Sequence, residues 1–395
     1  MNIRRPFCLS IGYLLLFIGI GKIQAQETKD SLEIVVKPYA SLRGHLAVYD
    51  HKLELQENAS RIGLEVNIKK HDFGLIAGGE IQLNMFKGGT SFNVDGNLSG
   101  GFFNVESAQK QQVFGNRLGY LGLDFGKFGT LTIGKQWSVY RDVTAYTDRF
   151  NVFGARASAT FIGGTDGGET GTGRADQAVI YRNHFGPFYI GGQIQARGGN
   201  NAKFIDGFGA SLQYEIKEGF FAGAAYNRAL LSDDLVNAGR IIGLTGQPTY
   251  FSLGTKYIGP IIDFSIVGVV QKNGDFSQGS YLDPAMGSLP LTTVFNAKGV
   301  EVFGKYKFQK FSVLVGYNLY VPDLKDISEQ YHLDPGFKKN DIIVGLSYSP
   351  FRFAQIYSEQ RLSMGKTAAG EREKSVFTLG LRIDLSGNFS KKISL

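Results

Sequence analysis

The sequence predicts an all-β fold, a 16-stranded antiparallel transmembrane β-barrel. Three observations predict it. Apolar residues recur at every second position, very short connections alternate with longer polar ones, and aromatic residues gather at the short connections.

The alternation comes first, because successive strand side chains point to opposite faces. Phe377, Leu379, Leu381, Ile383 and Leu385 alternate with Thr378, Gly380, Arg382 and Asp384. Phe311, Val313, Val315, Tyr317 and Leu319 alternate with Ser312, Gly316 and Asn318, Leu314 being the one exception. Ile342, Val344, Leu346 and Tyr348 share a parity, as do Ile62, Leu64, Val66 and Ile68, which interleave with Arg61, Gly63, Glu65 and Asn67. A water-soluble sandwich also alternates, so this pattern alone leaves both architectures open.

The connections narrow the choice. Short turns recur near His71-Asp72, Gly126-Lys127, Gly186-Pro187, Lys217-Glu218, Gly259-Pro260, Gln309-Lys310 and Ser349-Pro350. Between them lie pairs of strands joined by longer polar loops, which is the outer-membrane barrel pattern. Phe73, Phe125, Phe128, Phe185, Phe188, Phe220, Phe221, Tyr257, Phe308, Phe311, Tyr348, Phe351 and Phe353 all lie within a few residues of a short turn. An amphipathic girdle at a membrane boundary requires this one-sided placement, whereas a sandwich spreads its aromatics through a core.

Strands are expected at 34–50, 58–70, 74–88, 113–125, 129–140, 176–185, 188–197, 204–217, 219–230, 248–258, 261–273, 294–308, 311–321, 339–349, 351–363 and 374–386. Alternation is poor in 113–125 and 176–185. An even count puts both chain ends on the periplasmic side, and a barrel this wide leaves an aqueous lumen. The segments 231–247 and 274–293 read as loops, and Ser386–Leu395 as a mostly polar tail containing Phe389.

At the N-terminus, Arg4 and Arg5 precede a short apolar run centred on Leu14–Ile20, and a small residue follows at Ala25. That order is an export signal, so residues 1–25 are expected to be removed, leaving 26–395 as one barrel domain. The run is shorter than the about 20 apolar residues of a membrane anchor. Cys8 is the only cysteine and lies in the signal. Disulfides, a cysteine nucleophile and thiolate metal sites are therefore not expected in the mature chain. The net charge is +7, and +4 without Arg4, Arg5 and Lys22. With no basic helix or stacking platform, nucleic acid is not an expected partner. His45, His51, His71, His184 and His332 show no metal-ligand spacing, and no phosphate loop or nucleophile elbow is present. No catalytic, cofactor-binding or metal residue is expected. The Gly163–Gly171 stretch carries a Gly-Asp pattern once, where calcium binding takes stacked repeats, so it reads as a mobile loop.

One region carries more than pattern. Asn116-Arg117-Leu118-Gly119-Tyr120-Leu121-Gly122-Leu123 is followed by Phe128-Gly129-Thr130-Leu131-Thr132-Ile133-Gly134-Lys135. Tyr140-Arg141-Asp142, Tyr146-Thr147-Asp148, Gly173-Arg174 and Tyr181-Arg182-Asn183 come next. Together these resemble the general trimeric porins of Gram-negative outer membranes, and Ser60-Arg61-Ile62-Gly63 is similar to that family's second strand. The quoted motifs cover about a fifth of the chain.

The resemblance implies a third loop folded into the lumen, with basic residues on one wall and acidic residues on the loop opposite. Arg61, Arg117 and Arg174 match the basic wall. Arg43 has the right parity to join it, although the family's basic position there matches Ser41, and Arg182 shares the parity of Arg174. On the loop Asp148 is kept. Asn151-Val152-Phe153-Gly154-Ala155 stands where the family has Pro-Glu-Phe-Gly-Gly, so Val152 occupies the place of the second carboxylate. Arg149 and Arg156 add positive charge nearby. The resemblance also implies an outer-membrane homotrimer, in contact with lipids, that meets through the early strands and the second loop.

Charges facing one another across a narrow lumen order its water and favour polar solutes. The expected function is therefore passive diffusion of small hydrophilic solutes and ions, with a weak anion preference from the lost carboxylate. The alternative is a channel selective for phosphate, another anion or a sugar. An adhesin or receptor barrel working through its outer loops is a third reading, and the absence of blade repeats argues against a propeller.

Overall fold

The computed structural model describes residues 31–86, 114–198, 202–283, 287–324 and 333–394. The expected signal at 1–25 with Cys8, His332, and most of the second loop lie outside these residues.

The described residues form one antiparallel sheet of eighteen strands. These are β1 (Ser31–Tyr49), β2 (Lys52–Glu57), β3 (Arg61–Lys70), β4 (Phe73–Leu83), β5 (Phe114–Asp124), β6 (Thr130–Trp137), β7 (Arg174–Phe185), β8 (Phe188–Gln195) and β9 (Ala202–Lys217). There follow β10 (Phe220–Leu231), β11 (Thr249–Ile258), β12 (Ile262–Asp283), β13 (Gly287–Phe308), β14 (Phe311–Asp323), β15 (Lys339–Phe351), β16 (Ala354–Ser363), β17 (Val376–Ser386) and β18 (Phe389–Ser394). Pairing of β1 with β17, from Tyr39↔Ser386 to Val48↔Phe377, closes the barrel. β2 and β3 follow one another along one edge of β1, and β17 and β18 along the other. Each couple is one stave, so the closed barrel has sixteen.

The alternation sorts the two faces as expected. Leu64, Val344 and Leu379 are each 45% exposed on the outside, where lipid takes the place of water. Ser252, Glu301 and Glu359 of the opposite parity are almost wholly buried on the inside. At the short turns Tyr306, Phe308, Phe311 and Tyr348 stack in sequence, with ring centroids 6.0, 5.6 and 4.8 Å apart. This is the outer aromatic girdle. Phe221 departs from it: its parity turns it inward, against the cluster around Tyr140 and Tyr146.

The structure differs from the expected strands in four places. The connection after β1 is a tight turn at Asp50-His51, both with positive φ, and pairing resumes at once in β2. The ladder of β12 and β13 runs on to Asp283↔Gly287, through the segment expected to be a loop. β15 continues through Pro350 to Phe351, across a register irregularity, so its turn falls at Arg352-Phe353. The polar tail is β18, paired with Ser31–Val36 of β1, and Phe389 stands opposite Val36 on the outer face. The weak alternation of β5 and β7 has a cause in two register irregularities. Arg117 is an extra residue between Asn116↔Ile81 and Leu118↔Glu80, and Gln177, with φ of 46°, lies in a second irregularity opposite Gly134–Gln136. A bulge of this kind re-aims a side chain.

Candidate pore constriction

After Trp137 the chain leaves the wall and turns inward. The Ser138 N–H donates to Gly173 O at 2.9 Å and its Oγ to Thr172 O at 2.8 Å, pinning the two ends of the third loop together. The loop carries one short α-helix, α1 (Arg141–Thr144), a 3-10 turn at Ile162–Gly164, and otherwise irregular backbone. Such backbone must find partners when buried. It finds them on inward-facing carboxylates of the opposite wall. Glu301 of β13 accepts from Ala157 N at 2.7 Å and Thr147 Oγ1 at 2.5 Å. Glu359 of β16 accepts from Asn151 N at 2.6 Å and Val152 N at 2.9 Å. The loop therefore crosses the lumen, as the resemblance implied.

Packing fixes its height. Tyr140, Val143 and Tyr146 bury against Ala225, Tyr250 and Val267 of β10–β12. Val152 and Phe153 bury against Ala47, Ile343, Tyr357 and Val376 on the other side of the barrel. Val152 thus belongs to a packed cluster. Gly299 of β13 makes the closest approach possible, since a Cβ there would stand 2.0 Å from Ala157 O. The Gly163–Gly173 stretch, expected to be mobile, is folded against β8 and β10. Gln195 Nε2 donates to Gly168 O, Gln193 Nε2 to Gly171 O, and Asn227 Nδ2 to Thr170 O.

The basic residues fall into two groups. Arg43 of β1, Arg61 of β3 and Arg117 of β5 lie on one wall, within electrostatic reach of one another. Arg117 Nε donates to Glu80 Oε1 at 2.6 Å and its Nη1 to Gln82 Oε1 at 3.2 Å. Arg61 approaches the same Glu80 only to 4.0 Å. Arg43 donates through Nε to Ser41 Oγ at 2.6 Å and stands 3.9 Å from Asp384. Ser41, the position matching the family's basic residue, thus supports Arg43. Arg382 of β17, directly opposite Arg43 in register, holds Asp384 at 2.6 Å and completes the wall.

Arg174 and Arg182 of β7 pair with carboxylates of the loop, and Arg174 stays within electrostatic reach of Arg117 and Arg141. Arg174 lies 3.4 Å from Asp166 and 5.6 Å from the Trp137 ring centroid. Arg182 binds Asp142 at 3.0 Å and the Trp137 carbonyl at 2.9 Å, which braces α1. On the loop, Asp148 pairs with Arg141 at 2.8 Å and remains within electrostatic reach of Arg61. Arg141 in turn lies 4.0 Å above the Trp137 ring. Arg149 and Arg156, read from sequence as added positive charge, are both paired. Arg149 meets Asp263 at 3.3 Å, and the buried Arg156 meets Asp341 at 2.9 Å and Glu373 at 3.4 Å. Burial disfavours an ionised Asp166, but Arg174 and Lys135 outweigh it and hold its carboxyl below the ordinary range.

Sequence reasoning missed Arg382, Arg141 and Glu80. Arg382 had the polar parity of its strand, but only the register of the barrel seam shows that it faces Arg43. No His, Cys, Asp and Glu group among the described residues could hold a metal ion.

A family model described as Gram-negative porin matches residues 50–331. Outer membrane protein S2 of Salmonella typhi is 26% identical over 295 residues, covering 59% of this chain and 75% of that protein. Outer membrane porin N of Escherichia coli (strain K12) is 30% identical over 181 residues, covering 40% of this chain and 44% of that protein. Salmonella typhi OmpF, solved in complex with daunomycin, superposes with a TM-score of 0.66 over 92% of this chain and 100% of its own, at 16% identity. An anion-selective porin from Comamonas acidovorans superposes at 0.60 over 89% and 100%, at 15% identity. At those identities the superpositions speak to the fold, and the family model speaks to descent. The chain belongs to the Gram-negative porin family, the passive channels of the outer membrane.

Proposed function

We propose that the channel passes small hydrophilic solutes and ions by diffusion, with a weak preference for anions set where the third loop faces Arg43, Arg61, Arg117 and Arg382. One observation carries the reading. Four guanidinium groups on that wall face two carboxylates, Glu80 and Asp384, and each carboxylate is already bound tightly by one arginine. The surplus resides on Arg43 and Arg61. Asp148 opposite is neutralised by Arg141 and offsets little of it. A surplus of fixed positive charge in a narrow pore draws anions in and repels cations. Arg174 and Arg182 border the loop's neck and act through Asp166, Asp142 and the Trp137 face.

The test is planar-bilayer recording of the detergent-folded protein across a potassium chloride gradient. A reversal potential of the anion-preferring sign, abolished in the Arg43→Gln/Arg61→Gln variant, is the expected result. Clear cation preference in the unaltered protein refutes the reading.

A selective channel is the second reading, and one observation favours it. Arg61 Nε is buried and makes no hydrogen bond within the described residues, a donor available to a bound oxyanion. Block of conductance that saturates with one solute distinguishes it from general diffusion. The assembly is proposed to be a homotrimer exported through a signal cleaved after Ala25. Steps in groups of three and a mature chain beginning at Gln26 are the corresponding observations.

A further inference from the structure

A second basic cluster lies inside the barrel, away from the arginine wall. Lys307 of β13 and Arg149 of the third loop share one carboxylate, Asp263 of β12, at 2.6 and 3.3 Å. Lys305 of β13 and Lys256 of β11 lie within electrostatic reach of Arg149. Among the described residues neither lysine has a carboxylate within 4.0 Å. Lys256 Nζ instead stands 4.3 Å from the ring centroid of Tyr146 and 4.7 Å from that of Phe221. Two aromatic faces hold an ammonium in place and leave its charge uncompensated. Asp142 and Glu215 are the acidic groups nearest in effect to Lys256. Asp142 is taken by Arg182 and Ser211, and Glu215 accepts from Tyr189 and Gly219.

The placement is informative. Lys256 lies close to the end of β11, and Lys305 close to the end of β13, where both strands reach short turns. Short turns mark the periplasmic rim. Arg61 instead begins β3, at the end of that strand away from its short turn. Arg382 spans the interval, within electrostatic reach of Arg43, Arg61 and Lys305. A basic track therefore leads from the constriction to the periplasmic exit.

We propose that Lys256 and Lys305 form a second anion station at that exit, selective for small oxyanions carrying two negative charges. The inference rests on the anion preference proposed above. Its charge class follows from the local balance: the four cations Lys256, Lys305, Lys307 and Arg149 face two carboxylates not neutralised elsewhere, Asp263 and Glu215, a surplus of two charges that one monovalent ion leaves half compensated.

Sulfate is the probe, because it keeps both charges at any pH the protein tolerates. Conductance of the full chain is recorded in potassium chloride with sulfate added to either side in turn. Half-blocking sulfate concentrations are compared for the unaltered channel, Lys305→Gln, and Lys256→Gln/Lys305→Gln. The expected result is saturable block by sulfate, with the half-blocking concentration raised about fivefold or more in the double variant at low salt. Lys305→Gln, which disturbs no aromatic contact, is expected to show part of that change with an unaltered step size. An anion-preferring channel whose sulfate block is absent, or identical in all three proteins, overturns the second station and leaves the proposed function standing. Cation preference in the unaltered protein overturns both.

Discussion

Gly299→Ala is a direct test of how the third loop is seated. The added Cβ would stand 2.0 Å from the Ala157 carbonyl oxygen, and the neighbouring contact is backbone, not a flexible side-chain end. Reaching an ordinary separation of about 3.3 Å requires a displacement of about 1.3 Å. The strand is held by ladders to β12 and β14, so the loop gives way. Ala157 N lies 2.7 Å from Glu301 Oε1, and a shift of that size carries the pair to about 4 Å, past hydrogen-bonding range. A hydrogen bond to a charged acceptor contributes about 1.5–3 kcal/mol. Replacing a strand glycine by alanine recovers about 0.5–1 kcal/mol of backbone entropy. The net loss is about 1–2 kcal/mol, confined to the loop. Because the loop is pushed off β13 toward the arginine wall, the single-channel step is expected to fall. Gly192→Ala is the control, since a Cβ there meets nothing within 4 Å. Conductance and melting in detergent at one scan rate, measured on both variants, decide the matter. An unchanged or larger step in Gly299→Ala refutes the seating described here.

Two further predictions concern charges on and around the loop. Asp341→Asn removes one partner of the buried Arg156 and leaves Glu373 at 3.4 Å, so a loss of about 2–3 kcal/mol is expected, read as a lower denaturation temperature and faster protease nicking of residues 150–160. The carboxyl of Asp166 is held below its ordinary value of 3.8, so its ion pairs with Lys135 and Arg174 stabilise the loop fully above that pH and are lost as pH falls through the lower, folded-state value. Trp137, the only tryptophan, lies beside Arg174, and its fluorescence is expected to stay constant from pH 7 down to about 4 and to change only below. A transition centred above pH 4 contradicts that assignment.

Most of the barrel was legible because a membrane-spanning strand exposes one face to lipid and one to water, which writes its period directly into the sequence. Where a strand leaves the membrane, both faces meet water and the signal fades. That is why the outer reach of β12 and β13 read as a loop, and why β18, with Ser390, Lys391 and Lys392, read as a tail. Bulges hid β5 and β7 differently, by shifting parity in mid-strand. Phe221 sat at the right distance from a turn for the girdle, and only its inward parity separates it from Phe220. The constriction was legible in part. Motifs located Arg61, Arg117 and Asp148, but the partner of the two arginines lies on another strand. Glu80 meets Arg117 across the β4–β5 ladder, and Asp384 meets Arg43 across the barrel seam. Such pairings depend on non-local register, to which a linear motif is blind.

The seam itself has a consequence for how the molecule comes into being. β1 is bonded on one edge to its immediate successors and on the other to the last two strands of the chain. Every intermediate that lacks β17 therefore presents two raw strand edges, those of β1 and of its newest strand, and raw edges recruit other chains. Loop closure across nearly the whole sequence must come last, and it is the slowest kind of contact to make. β18 lengthens that final ladder from Tyr39–Val48 down to Ser31, so the first and last described strands lock each other. A ring sealed by its first and last described strands leaves neither with an unpaired edge, which converts the latest and most hazardous step of folding into the source of the barrel's kinetic persistence.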